Sequence, residues 1–308
     1  MHFASALYWS IMLNFRKIDI TDIELFKTLT QSTNEISCEN AFVNLYVWQD
    51  VYHNMIAVKN DSLFIKSEED GVPTFRLPIG GNMEKGLKEI ISYCGGKMPR
   101  FWNPSGESLL RLPSWFYEKY DFHEERDAFD YIYLQSALSS LQGKKYHSKR
   151  NHISTFSKQY NWHYEKITDQ NIGKVRLCAK EWYEKNVDRL DKYMLCEKKG
   201  VELILNNIKA LNITGGAIFV EDKAVAFTLG SPINQNVFDI HIEKALPEFA
   251  TAYTVINREF AANELQGYKY INREDDMGLE GLRKAKLSYK PEILLKKFFC
   301  TPKDEING

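Results

Sequence analysis

The chain has 308 residues, enough for two domains of about 150 residues each. Hydrophobic residues make up 44% and charged residues 26%, values that exclude wholesale disorder and low-complexity structure. Lys plus Arg number 40 against 41 Asp plus Glu, which excludes a globally basic nucleic-acid binder and leaves local clustering as the only route to a polyanion surface.

Read in chain order, the first half predicts a strand at 15–18, helices at 23–31 and 41–52, and strands at 54–58, 62–66 and 74–78. A helix follows at 82–94, a strand at 99–102, a helix at 107–120 that contains Pro113, and a strand at 128–133. The apolar opening, residues 1–13, lacks an early Lys or Arg and is too short for a signal core or a membrane span. No other run reaches the ~20 apolar residues that a spanning helix needs, so a cytoplasmic location is expected.

Between Tyr131 and Tyr164 there is no Asp or Glu, while Lys144, Lys145, Lys149, Arg150 and Lys158 fall in that interval. Residues 144–159 place Tyr146, Ile153, Phe156 and Tyr160 at helical spacing, which predicts a basic helix joining the halves. A solvated interdomain helix accounts for the same charges.

The second half repeats the order of the first. A strand at 162–167 precedes helices at 170–186 and 200–211, a hairpin at 215–220 and 224–229, and a strand at 236–245. A helix at 251–265, a strand at 268–272, a short helix at 278–288 and a strand at 292–300 complete it. The expectation is a mixed α/β (α+β) chain built by duplication, with one domain at 14–133, a basic connector at 134–160 and a second domain at 161–300.

Two segments concentrate the chemistry. Strand 237–244 alternates, so Asp239, His241 and Glu243 share one face and Phe238, Ile240 and Ile242 the other. Asn272, Arg273, Glu274, Asp275 and Asp276 follow a predicted strand and precede a helix carrying Lys286. Adjacent acids repel unless they cap a helix, pair with cations or bind a cationic group. Asp276 as an N-cap accounts for part of the cluster and leaves Arg273 and Glu274 unexplained. P-loop, dinucleotide-binding, zinc-protease and nucleophile-elbow motifs are absent. The five cysteines stand singly, with no spacing suited to a metal, so no metal is expected.

The segments 143–151 (GKKYHSKRN), 241–245 (HIEKA), 253–261 and 270–289 (YINREDDMGLEGLRKAKLSY) resemble the phosphatidylglycerol lysyltransferase C-terminal domain family. That family is similar in turn to the Fem-type aminoacyl transferases. The resemblance implies a tandem duplication of the GNAT acyltransferase fold joined by a basic helix. It further implies an aminoacyltransferase that takes its amino acid from aminoacyl-tRNA and gives it to a hydroxyl or amine acceptor, a lipid head group or a soluble molecule. In CoA-using members of the fold, a glycine-rich loop leads from the fourth strand to a helix N-terminus and binds pyrophosphate. Here that loop is residues 246–252 (LPEFATA), without glycine and with one acid, so CoA is disfavoured and no cofactor is expected.

On this reading His241, Glu243 and Lys286 are the candidate catalytic residues. His241 is the best general base by its ordinary pKa, and Lys286 holds a phosphate or the oxyanion. Asp239, Asn272, Arg273, Glu274 and Asp275 bind substrate, and Lys144, Lys145, Lys149 and Arg150 contact the tRNA backbone. Two alternatives stay open: an acyl-CoA N-acyltransferase with an atypical loop, and an inert binding module on the same fold.

Overall fold

The computed structural model describes residues 12–30, 34–69, 71–187 and 192–303; the apolar opening up to residue 11 and the predicted helix end at Gln31 lie outside it. The chain divides into two units, residues 1–129 with 295–308 and residues 130–294.

In the first unit β1 (Arg16–Lys17) leads to α1 (Ile23–Thr30), α2 (Phe42–Val47) and α3 (Gln49–Tyr52). There follow β2 (Met55–Lys59), β3 (Ser62–Glu69), β4 (Val72–Phe75), β5 (Ile79–Gly80) and α4 (Met83–Tyr93). Next come β6 (Arg100–Ser105), α5 (Gly106–Leu109), α6 (Ser114–Lys119) and β7 (Tyr120–Glu124). Asn82 caps α4 by accepting from the Lys85 N–H at 3.0 Å, and the helix buries Leu87 and Ile90 against Phe64, Phe75, Phe101 and Phe116. Each such apolar side chain contributes on the order of 2 kcal/mol by leaving water. The helix predicted at 107–120 is two short helices. Pro113 lacks the N–H a continuous helix needs, and it serves instead as the residue before α6.

The second unit opens with β8 (Asp130–Leu134), α7 (Gln135–Ser140), α8 (His147–Gln159) and β9 (Trp162–Lys166). It continues through α9 (Ile172–Lys185), α10 (Lys192–Asn206), β10 (Thr214–Val220), β11 (Lys223–Pro232) and β12 (Val237–Ala245). Then come α11 (Ala252–Glu264), β13 (Tyr270–Asn272), α12 (Glu280–Leu287) and β14 (Ile293–Leu295), and β15 (Lys297–Pro302) ends the order. The helix predicted to start at Gly200 begins at Lys192, with Gly200 buried inside it. α11 is the central helix of this unit and buries Val255, Ile256, Phe260 and Ala261. The predicted connector is part of this unit: Phe156 of α8 is fully buried in one cluster with Val255 and Ile256.

Both sheets contain one parallel pair at their middle. The first runs β1-β2-β3-β4-β6-β15-β7, with β5 on β3, and its parallel pair is β4 with β6. The second runs β14-β8-β13-β12-β11-β10-β9, and its parallel pair is β12 with β13. The order of strands along the chain mispredicts two memberships. Residues 130–134, expected to close the first half, pair with β13 in the second sheet, whereas residues 297–302, expected to close the second half, insert between β6 and β7 in the first. Pairing partners decide which sheet a strand joins, and Lys297 reinforces the choice by reaching Glu39 of the first unit at 3.2 Å.

Candidate active site

β12 and β13 are in register only at Val237 with Tyr270, Phe238 with Ile271 and Asp239 with Asn272, and beyond that point the strands part. Such a parting at the carboxyl ends of parallel strands leaves a crevice, because no ladder hydrogen bonds close it. Glu243 of β12 meets Arg273 of the loop after β13, and His241 meets Glu274. The single polar face expected from alternation is split: Asp239 stands opposite Ser231 and Glu243 opposite Thr228, three residues apart on β11, so His241 sides with Asp239 and Glu243 lies on the other face.

A β-bulge aims His241. Ser231 pairs with Asp239 and Gly230 with Ile240, but Leu229 pairs with Ile242, which leaves His241 as the extra residue. A Cβ on Gly230 would lie 2.2 Å from the Asp239 carbonyl oxygen, so this approach requires glycine. Nε2 of His241 is 2.8 Å from Ser231 Oγ, and Nδ1 is 3.2 Å from Glu274 Oε1 and 3.5 Å from Asp239 Oδ2. Two carboxylates at Nδ1 assign the ring proton there and leave Nε2 to accept from the serine hydroxyl. The ligand atoms of Asp239, His241 and Glu274 all lie within 4.8 Å of one another, so these three are the set that could share a metal ion.

The loop after β13 is folded by its own side chains. Glu274 has φ +55°, a left-handed conformation that costs a non-glycine residue about 1 kcal/mol or more. Lys286 clasps it, donating from Nζ to the Arg273 carbonyl at 2.5 Å and also to the Asp275 carbonyl. Burial lowers the pKa of this lysine, against the pull of Asp275 and Glu274. Asn272 accepts from the Glu274 N–H at 2.7 Å and donates to Asp130 at 2.9 Å. Asp275 accepts from the Met277 N–H at 3.1 Å. Asp276 takes two bonds from Arg283, at 2.7 and 2.9 Å, and a third from the Tyr131 hydroxyl.

These contacts correct several expectations. Lys286 is committed to two carbonyls and holds the loop rather than a phosphate or an oxyanion. Asn272, wholly buried, shapes the same loop rather than faces a substrate, and Asp275, partly buried, bonds within the loop. Asp276 is an ion-pair acid and not an N-cap, because α12 starts at Glu280 after Leu279. Asp239 is wholly buried and meets His241 rather than solvent.

At the centre, Arg273 Nη2 donates to Glu243 Oε1 at 2.7 Å, with side-chain exposures of 12% and 11%. Asn257 of α11 donates to the other Glu243 oxygen at 3.3 Å. The guanidinium lies 4.9 Å from the Tyr289 ring and 5.8 Å from that of Tyr133. Among the described residues, Arg273 Nη1 and Asn257 Oδ1 are buried without a hydrogen-bond partner. Buried polar atoms are seldom left so, and a donor and an acceptor around one carboxylate mark the place where a bound molecule completes the network.

The acid-free segment divides between two tasks. Lys149 turns inward, with Nζ 3.8 Å above the Tyr289 ring, and burial together with the neighbouring Arg273 charge brings its pKa down to about 8. Arg150 closes the end of α7, donating to the carbonyls of Leu141 at 2.5 Å and Gly143 at 2.8 Å. Lys149 is not placed as a simple backbone-phosphate contact, whereas Lys144, Lys145 and Arg150 are exposed. Ser231, Asn257, Tyr289 and the inward position of Lys149 are what sequence reasoning missed. Neither Asn257, which Arg258 and Glu259 follow directly in the helix, nor Ser231 gave a signal of its own.

Two units, each a twisted sheet opened at a central parallel pair, define the tandem GNAT fold. The model of the phosphatidylglycerol lysyltransferase C-terminal family matches residues 30–301, and the chain belongs to that family. A conserved protein of unknown function from Bacteroides thetaiotaomicron VPI-5482 is 35% identical, with 95% of this chain and 100% of that one covered and a TM-score of 0.89. L-PGS from Bacillus licheniformis has the same fold at 15% identity, with 94% and 93% covered and a TM-score of 0.66. The uncharacterized protein MYCGA3080 of Mycoplasmoides gallisepticum is 28% identical over 200 residues, which are 60% of this chain and 60% of that relative's length. No described helix is long and apolar enough to cross a membrane.

Proposed function

We propose that the chain is an aminoacyltransferase, moving an amino acid from aminoacyl-tRNA to a hydroxyl or amine acceptor, either a lipid head group or a soluble molecule. The observation that carries this reading is the Arg273–Glu243–Asn257 cluster, with its spare buried donor and acceptor, beside a lysine of lowered pKa. Family membership supports it.

The donor ester is already activated, so the protein has to position two substrates, stabilise an oxyanion and take one proton. Arg273 Nη1 is the donor for the oxyanion. Glu274, the most exposed of the site's acids, receives the ammonium of the amino acid, and His241 holds that carboxylate in place. Lys149, neutral in part near its pKa of about 8, accepts the proton of the attacking hydroxyl or amine. The new ester or amide bond forms at the donor carbonyl as the bond to the tRNA ribose oxygen breaks, and that oxygen leaves protonated.

CoA fits less well. The loop before α11 carries Glu248, paired with Lys185, where a pyrophosphate would otherwise meet glycine N–H groups. The test incubates the chain with aminoacyl-tRNA bearing labelled amino acids and, as acceptors, phosphatidylglycerol vesicles or soluble amines. Label should move to one acceptor class, and Glu243→Gln should stop it. Acyl transfer from acyl-CoA alone would replace the proposed donor, and transfer from neither would leave a binding module.

A further inference from the structure

The first unit has its own crevice where β4 and β6 part, and there it opens into a cavity of about 510 Å³. Its lining includes Glu35, Glu39, Arg76, Trp102, Asn103 and Arg111. Three of these repeat the cluster of the second unit in different elements. Arg76 pairs with Glu39 at 2.6 Å, Asn103 donates to Glu39 at 2.9 Å, and the arginine lies 5.2 Å from the Trp102 ring. Here too one guanidinium nitrogen, Arg76 Nε, and the carboxamide oxygen, Asn103 Oδ1, are buried without a hydrogen-bond partner among the described residues. Arg76 and Asn103 are each more than nine-tenths buried.

The charges have two ends. At the floor, Lys297 of β15, wholly buried, comes within 3.2 Å of Glu39, so two cations converge on one carboxylate. Burial alone would raise the Glu39 pKa, but Arg76 and Lys297 bring it down to about 2. At the rim, Glu35 is bonded to Ser105 at 3.2 Å and to Arg111, whose side chain is half exposed. Burial raises the Glu35 pKa despite that partner. Arg76 and Lys297 against the one Glu39 carboxylate leave the floor with one positive charge to offer an anionic group, while a buried rim carboxylate held by a half-exposed arginine takes an ammonium in its place. Gly80 and Gly81 wall the cavity with φ +77° and +52°; a Cβ on Gly81 would meet Ser62 Oγ at 2.1 Å.

We propose that this cavity binds a small zwitterion, a molecule with an anionic group toward Arg76, whose charge Lys297 supports from beneath Glu39, and a primary ammonium toward Glu35 and the Asn103 carboxamide oxygen. A free amino acid and a phosphorylated amino alcohol share that chemistry. The proposal is independent of the transfer reading, since every residue it uses lies in the first unit.

The test is calorimetric titration of the whole chain with lysine, alanine and phosphoethanolamine, alongside putrescine as cation only and acetate or inorganic phosphate as anion only. Zwitterions should bind and single-charge probes should bind at least about tenfold more weakly, the size of one charge-assisted contact. Preference between the amino acids and phosphoethanolamine identifies the source. Glu35→Gln should weaken zwitterions about tenfold and leave the anion probes unchanged, and Arg76→Lys should weaken both. Lys209→Ala, on the surface of the other unit, should change nothing. No binding by any zwitterion, equal binding by single-charge probes, insensitivity to both first-unit variants, or loss in Lys209→Ala would each overturn the proposal.

Discussion

The two crevices use one chemical set in two ways. In the second unit Tyr289 packs against the arginine and Lys149 against Tyr289, and His241 and Glu274 come from the same strand and loop as the ion pair. In the first unit the corresponding set lies under an open cavity, and its lysine is wholly buried rather than partly buried. A lysine with some access to solvent and a pKa of about 8 is placed to exchange a proton, whereas a sealed one is placed to hold charge. On the proposed readings, the difference separates a crevice for reaction from one for binding.

The sharpest way to break that contrast is to cut both ion pairs. Arg273→Gln should lower label transfer by about a hundredfold or more, as loss of an oxyanion donor does, whereas Arg76→Gln should leave the chemical step nearly intact in single-turnover assays. Arg273→Gln should lower stability by about 3–5 kcal/mol, because it leaves Glu243 a buried carboxylate without its cation, and Arg76→Gln by less, because Lys297 stays beside Glu39. Equal kinetic damage from the two would erase the distinction.

Acid should then separate the units. Glu39 has a folded pKa of about 2 against 4.5 for the unperturbed group, so its contribution is complete above the higher value and fades as pH falls between them. Wild type should lose its stability advantage over Glu39→Gln across that window, followed by chemical denaturation at each pH.

Alkaline pH probes Lys149 in the opposite sense. Transfer should rise with pH through about 8, and Lys149→Met should flatten the profile. The folded pKa lies below the ordinary 10.5, so the unfolded chain binds the extra proton and this group's contribution to stability grows as pH rises from 8 towards 10.5. A rate that does not respond to pH near 8 would remove the lysine from the proton path.

Smaller effects are expected at the loop and on the surface. Lys286→Met should free the Glu274 backbone and lower transfer several-fold, with the loss seen in kcat more than in tRNA affinity. Lys144→Ala with Lys145→Ala should reduce the salt dependence of tRNA binding by about one or two units of slope, read by filter binding at graded salt.

Much of this was legible in the chain. Period-two alternation pointed to Asp239, His241 and Glu243, and a charged run after a short strand to Arg273 and Glu274, because both signals are local. The bulge at His241 was not legible, and it splits the expected stripe, since Asp239 stands opposite Ser231 and Glu243 opposite Thr228, on opposite faces of β11. What stayed hidden depends on partners far away in sequence. Lys286 reads as a surface helix lysine until Glu274 adopts its left-handed backbone nearby. Lys149 reads as one of several phosphate-binding cations until Tyr289 comes beneath it. The cluster in the first unit draws on residues 39, 76, 103 and 297, and no spacing rule joins them.

The exchange of strands carries a consequence for biosynthesis. β15 is an interior strand of the first sheet, so a ribosome must have passed residue 302 before that sheet can close. Residues 16–124 cannot mature as they emerge; they wait with the edges of β6 and β7 unpaired, the state in which nascent chains are most exposed to misassembly. Cutting the gene at the midpoint would leave one half without its seam strand and the other with the wrong one, so the two halves should be recoverable only when made together.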